Sequence, residues 1–388
     1  MTSNPSASLP RLALLVGLLG LTAWVAHARG QTPAPRAALL QQGPPRVEVA
    51  FVLDTTGSMS GLIEGAKSKI WSIANQLASG QPRPEVRMAL VGYRDRGDAY
   101  VTRVRDLTGD IDAVYADLQA FQAGGGGDTP ESVNQALHEA VTSLSWSDEP
   151  GVYRVIFLVG DAPPHLDYAQ DVPYAESVRT ARQRGIVINT VQCGDYAATT
   201  PVWREIASVG GGSFAAIRQD GGMLALATPV DEELAQLGRE LSGTLLAWGD
   251  RDEQAELEAK AKRGARSAPE TAAARLGFLS KLGGVLNAGR ADLVDAIASG
   301  ETTLDEIEEE ELPAALQAAP PPERSRLVQE KLEARREIQA RIDVLSAERD
   351  AYVASERDRR AKAGEDDGFD AKLLETVRDQ AAEVGIAY

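Results

Sequence analysis

Between residues 46 and 249 the chain alternates short apolar runs rich in β-branched residues with longer amphipathic stretches. No other feature restricts the fold as much. A buried strand, a stretch of helical period and a second buried strand read as a βαβ unit, and repeated units build a parallel sheet with helices on both faces. Residues 47–53 (VEVAFVL) read as the first strand, and 61–78 follow with Leu62, Ile63, Ala66, Ile70, Ile73 and Leu77 at helical spacing. Strands are expected at 86–93, 100–107, 152–159, 186–193 and 213–217, the second and third joined by RDRGDA as an antiparallel hairpin. Helices are expected at 110–121, 131–144, 173–184, 201–209 and 231–248. The fold class is therefore α/β, a Rossmann-like doubly wound and mostly parallel six-stranded sheet, followed by an all-α C-terminal region.

The 388 residues suffice for one large domain and a smaller one. With 57 acidic against 40 basic residues the formal charge is -17, which argues against broad attraction to nucleic acid or anionic lipid. The single cysteine, Cys193, excludes an internal disulfide, a CxxC pair and a cysteine-built zinc site. Three histidines leave little material for a His-based relay or metal site. Chemistry in this chain has to run on carboxylates, hydroxyls and backbone.

Residues 12–28 (LALLVGLLGLTAWVAHA) are almost wholly apolar, preceded by Arg11 and ended by Ala26-His27-Ala28, the pattern of a cleavable signal peptide over 1–28. An uncleaved anchor is the competing reading, since about 20 such residues cross a bilayer. Either way the chain is expected to be exported, to the periplasm or outside the cell, with no membrane span beyond the leader. Residues 29–45 form a Pro- and Gln-rich linker, and 46–249 hold the α/β domain. Residues 250–312 read as a helical acidic region whose block at 301–312 carries seven acids and no base, expected to be a solvated helix face. A Pro break and a charged helix occupy 313–362, and 363–388 form a tail. In that helix Ile338, Leu345 and Tyr352 recur every seven residues, but the companion row Val328, Arg335, Ile342, Arg349 alternates apolar with Arg. This pattern fits a helix packed within the chain or a weak dimer seam better than a strict coiled coil.

At the carboxyl end of the first strand stands Asp54-Thr55-Thr56-Gly57-Ser58-Met59-Ser60, leading into the first helix. Ligands of open parallel sheets bind at such strand ends. Asp54, Thr56 and Ser58 alternate along an extended turn, so a carboxylate and two hydroxyls can face one small hard ion, Mg2+ or Mn2+.

These residues, with their strand, resemble the von Willebrand factor type A domain and its metal-ion-dependent adhesion site, whose pattern is Asp-x-Ser-x-Ser; Thr56 takes the place of the first Ser. The resemblance implies two further ligands, a Thr on a second loop and an Asp after a central strand. Thr129 in Gly127-Asp128-Thr129-Pro130-Glu131 fits the first and Asp161 in Leu158-Val159-Gly160-Asp161 the second. Asp128 stands before the Thr, where the usual loop has none, and is the alternative ligand. The Val-Gly-Tyr-Arg-Asp run at 91–95 resembles the subset carrying D-T-T-G-S-M. The resemblance spans residues 46–249. It implies a non-enzymatic protein-binding module in which the metal sits between the protein and an acidic group of a protein partner, with Asp161 acting through water.

A rival reading is a Mg2+-dependent phosphoaspartate phosphotransferase or phosphatase with Asp54 as nucleophile, since the turn also resembles the D-K-T-G-T motif of P-type ATPases. Thr55 stands where that motif has Lys, and no lysine occurs between Lys69 and Lys260 to neutralise a phosphate. Gly124 to Gly127 lack the GxGxxG or Walker lysine of a phosphate cradle and read as a flexible loop. Arg96-Gly97-Asp98 spells an adhesion tripeptide but falls in a hairpin turn where Gly and Asp are common. His165 is expected to be an exposed loop residue, and Trp71, Trp146 and Trp203 to pack against the sheet.

Overall fold

The computed structural model describes residues 44–223, 226–282, 291–363 and 368–388. The expected signal peptide and nearly all of the linker lie outside the described residues. Residues Pro45–Tyr388 form one compact unit. No helix among the described residues is long and apolar enough to cross a membrane.

The strands are β1 (Arg46–Asp54), β2 (Glu85–Tyr93), β3 (Thr102–Thr108), β4 (Val152–Gly160), β5 (Ile186–Cys193) and β6 (Gly211–Ile217). They form one sheet in the order β3-β2-β1-β4-β5-β6, parallel except for β3, which pairs antiparallel with β2 at the edge. This is a doubly wound order, with its switch point between β1 and β4. Helices α1 (Ser60–Leu77), α2 (Ile111–Ala120), α3 (Val133–Thr142), α4 (Tyr174–Gln183) and α5 (Thr199–Val209) supply the connections. Because both sheet faces are covered, β1 is buried almost throughout. Val49, Phe51 and Leu53 join the core under α1 with Leu62, Ile70 and Trp71. Ala50 and Val52 face the opposite core with Leu137, Val141 and Trp203. Glu48 breaks the apolar run and is fully buried, held by Arg87 and by the Ser147 amide and hydroxyl.

Past the sheet come α6 (Asp231–Ser242), α7 (Arg251–Arg266), α8 (Pro269–Lys281), α9 (Leu293–Ser299), α10 (Ala314–Gln317), α11 (Pro321–Lys362) and α12 (Gly368–Ala381). Two sequence expectations need correction here. The helix expected over 231–248 ends at Ser242, and Ala247 instead makes an antiparallel bridge to Asp292. The acidic block 301–312 forms two short 3-10 turns, Leu304–Glu306 and Glu309–Glu311, in place of a helix. Packed like charges oppose a continuous helix there, while Leu312 is buried against Leu293, Leu316 and Val328.

The row of α11 that alternates apolar with Arg is used inside the chain. Ile342 and Leu345 pack with Leu234, Leu241 and Leu276, Arg335 pairs with Asp292 at 2.7 Å, and Arg349 pairs with Asp231 at 2.8 Å. Helix α12 returns to the sheet, placing Phe369 against Phe51 and Phe157.

Candidate metal centre

β1 stops at Asp54 because the chain turns there into a 3-10 turn (Gly57–Met59) and then α1. The turn is fixed at Thr55, whose amide and hydroxyl both donate to the Tyr93 carbonyl at 2.8 Å, one strand away. Asp54 then points into the protein. Its Oδ1 accepts from the Thr56 amide at 2.8 Å and the Thr56 hydroxyl at 2.6 Å, and Thr56 Oγ1 lies 3.3 Å from Ser58 Oγ. Asp54 Oδ2 is buried and accepts no hydrogen bond. Asp54, Thr56 and Ser58 are thus brought together as the sequence predicts, with Ser58 on the solvent side.

Asp161 stands just past β4, across the switch point from Asp54, since Leu53 and Val159 are register partners. The two strands approach closely at Gly160. A Cβ there would lie 2.4 Å from the Tyr93 hydroxyl and 3.0 Å from Asp54 Cβ, so only glycine fits. Asp161 Oδ2 accepts from Gln219 Nε2 at 2.7 Å, and the same amide group lies 3.3 Å from the Ser58 carbonyl. Gln219 ties the two loops together, a role with no signal in the sequence.

The four-glycine loop serves close approach to the Asp54 turn. Gly124 donates to the Thr55 carbonyl at 3.1 Å, and Gly126, at φ +77°, would place a Cβ 3.3 Å from Thr56 Cβ. The loop leads to Thr129, which is exposed, and to Asp128, whose carboxylate lies 3.8 Å from His165 Nε2. Asp128 thus lies beside Asp95 and His165.

The residue of this loop that enters the centre is Glu131, which the sequence reading passed over. It is buried, its Oε2 has no hydrogen-bond partner, and the charges acting on it include Asp54, Asp98 and Asp161. An acid directly after Thr129-Pro130, at the mouth of a helix, was the available signal. Its backbone is bridged to Pro164: Glu131 N donates to Pro163 O and His165 N to Glu131 O, each at 3.0 Å. That bridge folds the loop after β4 inward. His165, expected to be exposed, is 7% exposed.

Burial pushes the Asp54 carboxyl up to about 7, against the pull of the Thr56 hydrogen bonds and with a further push from Asp161. Burial and the surrounding carboxylates push Glu131 up to about 9. Tyr93, between them, has a buried hydroxyl without a partner and is pushed well up by burial and the same acids. Acids, hydroxyls and an orphaned carboxylate oxygen meet here. That donor set fits a small hard cation.

The family model for the von Willebrand factor A domain matches residues 48–217. Von Willebrand factor A domain-containing protein 7 of Homo sapiens is 37% identical over 97 residues, which is 25% of this chain and 10% of that protein; its Rattus norvegicus counterpart is 38% identical over the same length. Alpha-protein kinase vwkA of Dictyostelium discoideum is 29% identical over 123 residues, 31% of this chain and 19% of that protein. The chain spans only about a tenth to a fifth of the length of these relatives. The solved structure of proximal thread matrix protein 1 from the mussel byssus is similar at 14% identity and a TM-score of 0.34, over 46% of this chain and 43% of that one. The fold of residues 48–217 and the family match agree: this stretch of the chain is similar to a von Willebrand factor A domain.

Proposed function

We propose that this chain is a divalent-cation-dependent protein-binding module of the cell envelope, acting by adhesion or scaffolding and not by catalysis. The observation that carries the reading is Asp54 Oδ2, a fully buried carboxylate oxygen with no hydrogen-bond partner, beside two hydroxyls at the switch point. Asp54, Thr56 and Ser58 would hold Mg2+ or Mn2+ directly, with Asp161 oriented by Gln219 to act through water and Thr129 within its loop as a further ligand. When bound, the ion supplies a coordination position for an acidic group of a protein partner. Thr56 contributes twice: its hydroxyl hydrogen is committed to Asp54, which leaves the oxygen lone pairs free for a cation. The module reading also rests on the domain family, whose members serve protein interaction. Envelope location rests on the leader sequence alone, and fractionation of cells expressing the full chain tests it.

Two features weigh against the phosphoaspartate alternative. Asp54 is 0% exposed, so an attacking oxygen has no path to a substrate without rearrangement. Arg94, a nearby cation, is committed to the Thr55 and Gln122 carbonyls and to the Tyr100 ring. The deciding experiment is partner capture by the full chain in Mg2+ and in chelator, beside Asp54→Ala. Capture that is indifferent to both Mg2+ and Asp54 rules the reading out.

A further inference from the structure

A second group of side chains lies outside the centre at Asp54. Asp95 follows β2, Asp128 precedes α3, and His165 sits in the loop after β4, so three separate segments converge. One ligand atom from each lies within 4.8 Å of the others. The His165 side chain is 8% exposed, stacked on Tyr168 at 4.1 Å between ring centroids and 17° between planes. Its Nδ1 lies 2.8 Å from Asp167 Oδ1. Its Nε2 is buried without a hydrogen bond and points at two carboxylates, 3.4 Å from Asp95 Oδ2 and 3.8 Å from Asp128 Oδ2. Asp95 is itself held in place, Oδ1 by the Ser132 hydroxyl at 3.0 Å and Oδ2 by the Tyr168 hydroxyl at 2.8 Å.

A neutral imidazole carries one N–H, and Asp167 takes it. The Nε2 lone pair then faces two carboxylates, an arrangement that repels unless a positive charge stands between them. That charge is either a second proton on the ring or a metal ion. The spacing favours the ion. Metal–ligand bonds of about 2.0–2.2 Å set donor atoms roughly 3–4 Å apart around one ion, and the two Nε2 separations fall in that range. A carboxylate on the remote ring nitrogen is also the usual way a metal-bound histidine is oriented.

We propose that Asp95, Asp128 and His165 form a second divalent-cation site, distinct from the one at Asp54, that takes a first-row transition ion of the Zn2+ or Co2+ kind. One imidazole nitrogen with two carboxylates suits such ions, whereas Mg2+ and Ca2+ prefer oxygen alone. The site would clamp the loop at Asp128 to the loop at His165. The backbone bonds of Glu131 already join these loops, so the clamp fixes the entry of α3 beside the first centre. This inference goes beyond the proposed function and does not require it to hold.

The test titrates Co2+ into the full chain in the presence of excess Mg2+, following visible absorption, and then displaces it with Zn2+. The expected result is one bound equivalent with bands that Zn2+ removes. Affinity should fall by about tenfold or more in His165→Gln and in Asp128→Asn. It should be unchanged in Asp54→Ala, which separates this site from the first. Asp128 is 62% exposed, so its variant should keep the metal-free melting temperature of the wild type and report on ligation alone. The proposal is overturned if Co2+ does not bind, if both variants bind it as the wild type does, or if binding follows Asp54 instead. A His165 ring found doubly protonated at neutral pH with Co2+ present would equally overturn it and assign the counter-charge to the proton.

Discussion

Asp54 and Tyr93 are register partners at the ends of β1 and β2, and each keeps a buried oxygen with no hydrogen-bond partner. Two orphaned oxygens in register, with Glu131 Oε2 as a third, concentrate unpaired polarity on the side of the sheet where parallel strands end. Desolvation of such groups costs about 1–3 kcal/mol each. A cation in this pocket would offset that cost, and this makes the first prediction one of stability. Mg2+ or Mn2+ at about a hundred times its dissociation constant should stabilise the chain by about 2.7 kcal/mol, read as a rise in melting temperature. Asp54→Asn should abolish the rise while leaving the metal-free protein at least as stable as the wild type, because a buried charge is gone. An equal rise in both proteins would exclude Asp54 as a ligand.

The raised carboxyls give the cation effect a direction with pH. Asp54 goes from an ordinary 3.8 to about 7 in the fold, and Glu131 from 4.5 to about 9. Between those limits the native state holds more protons than the unfolded chain, so metal-free stability falls as pH rises from about 4 to 9. At full effect the slope is about 1.4 kcal/mol per pH unit for each group. A divalent ion replaces those protons. Its stabilisation should therefore grow with pH across the same window, and thermal melts at pH 5, 7 and 9 with and without Mg2+ check this. A cation effect that is flat with pH would mean that neither carboxyl titrates against the ion.

Gly160 sets how close β4 comes to Asp54. Gly160→Ala should destabilise by about 1–3 kcal/mol through overpacking, because the new methyl meets the Tyr93 hydroxyl first. Tyr93→Phe removes that hydroxyl and an orphaned oxygen together, so it should be nearly neutral alone. Combined with Gly160→Ala it should recover part of the loss. Chemical denaturation of the four proteins gives the coupling, and strict additivity would place the strain elsewhere.

What could be read in the sequence followed chain-local rules. The six strands stand out as β-branched runs, and Asp54, Thr56 and Ser58 lie on one turn, so their meeting needed no tertiary knowledge. Asp161 was legible only through the resemblance, which implies an Asp after a central strand. Glu131 and Gln219 were not legible, because each reaches the centre from a separate loop, and Tyr93, although inside the Val-Gly-Tyr-Arg-Asp run, reaches it from the end of β2 with nothing to announce a buried hydroxyl there. His165 failed for a related reason: two backbone bonds to Glu131 draw its loop inward, and nothing near His165 announces them. The C-terminal arginines were legible only in part, as the sign of a helix packed within the chain and not of its partners. Arg335 and Arg349 interrupt an apolar row because they are buried against Asp292 and Asp231, acids far away in sequence.

The C-terminal helices bear on the domain in a way that sharpens the last prediction. Phe369 of α12 lies 6.2 Å from Phe51 and 6.4 Å from Phe157, ring centroid to centroid, and Leu373 and Val377 continue the same core. Beside them Lys69 and Asp370 form a buried ion pair at 2.9 Å. Burying each such apolar side chain contributes about 1.5–3 kcal/mol, so three together rival the roughly 5–15 kcal/mol net stability of a domain. Removing residues 368–388 should then lower the melting temperature sharply or leave the chain insoluble, and Phe369→Ala alone should cost about 3–5 kcal/mol. A truncated chain that melts like the wild type would show that the sheet face is self-sufficient. If the loss is as large as expected, weakened partner capture by a C-terminal deletion cannot be assigned to a lost contact. Exposed positions on the same helices, such as Val344 and Tyr352, are then the ones whose substitution separates partner contact from folding.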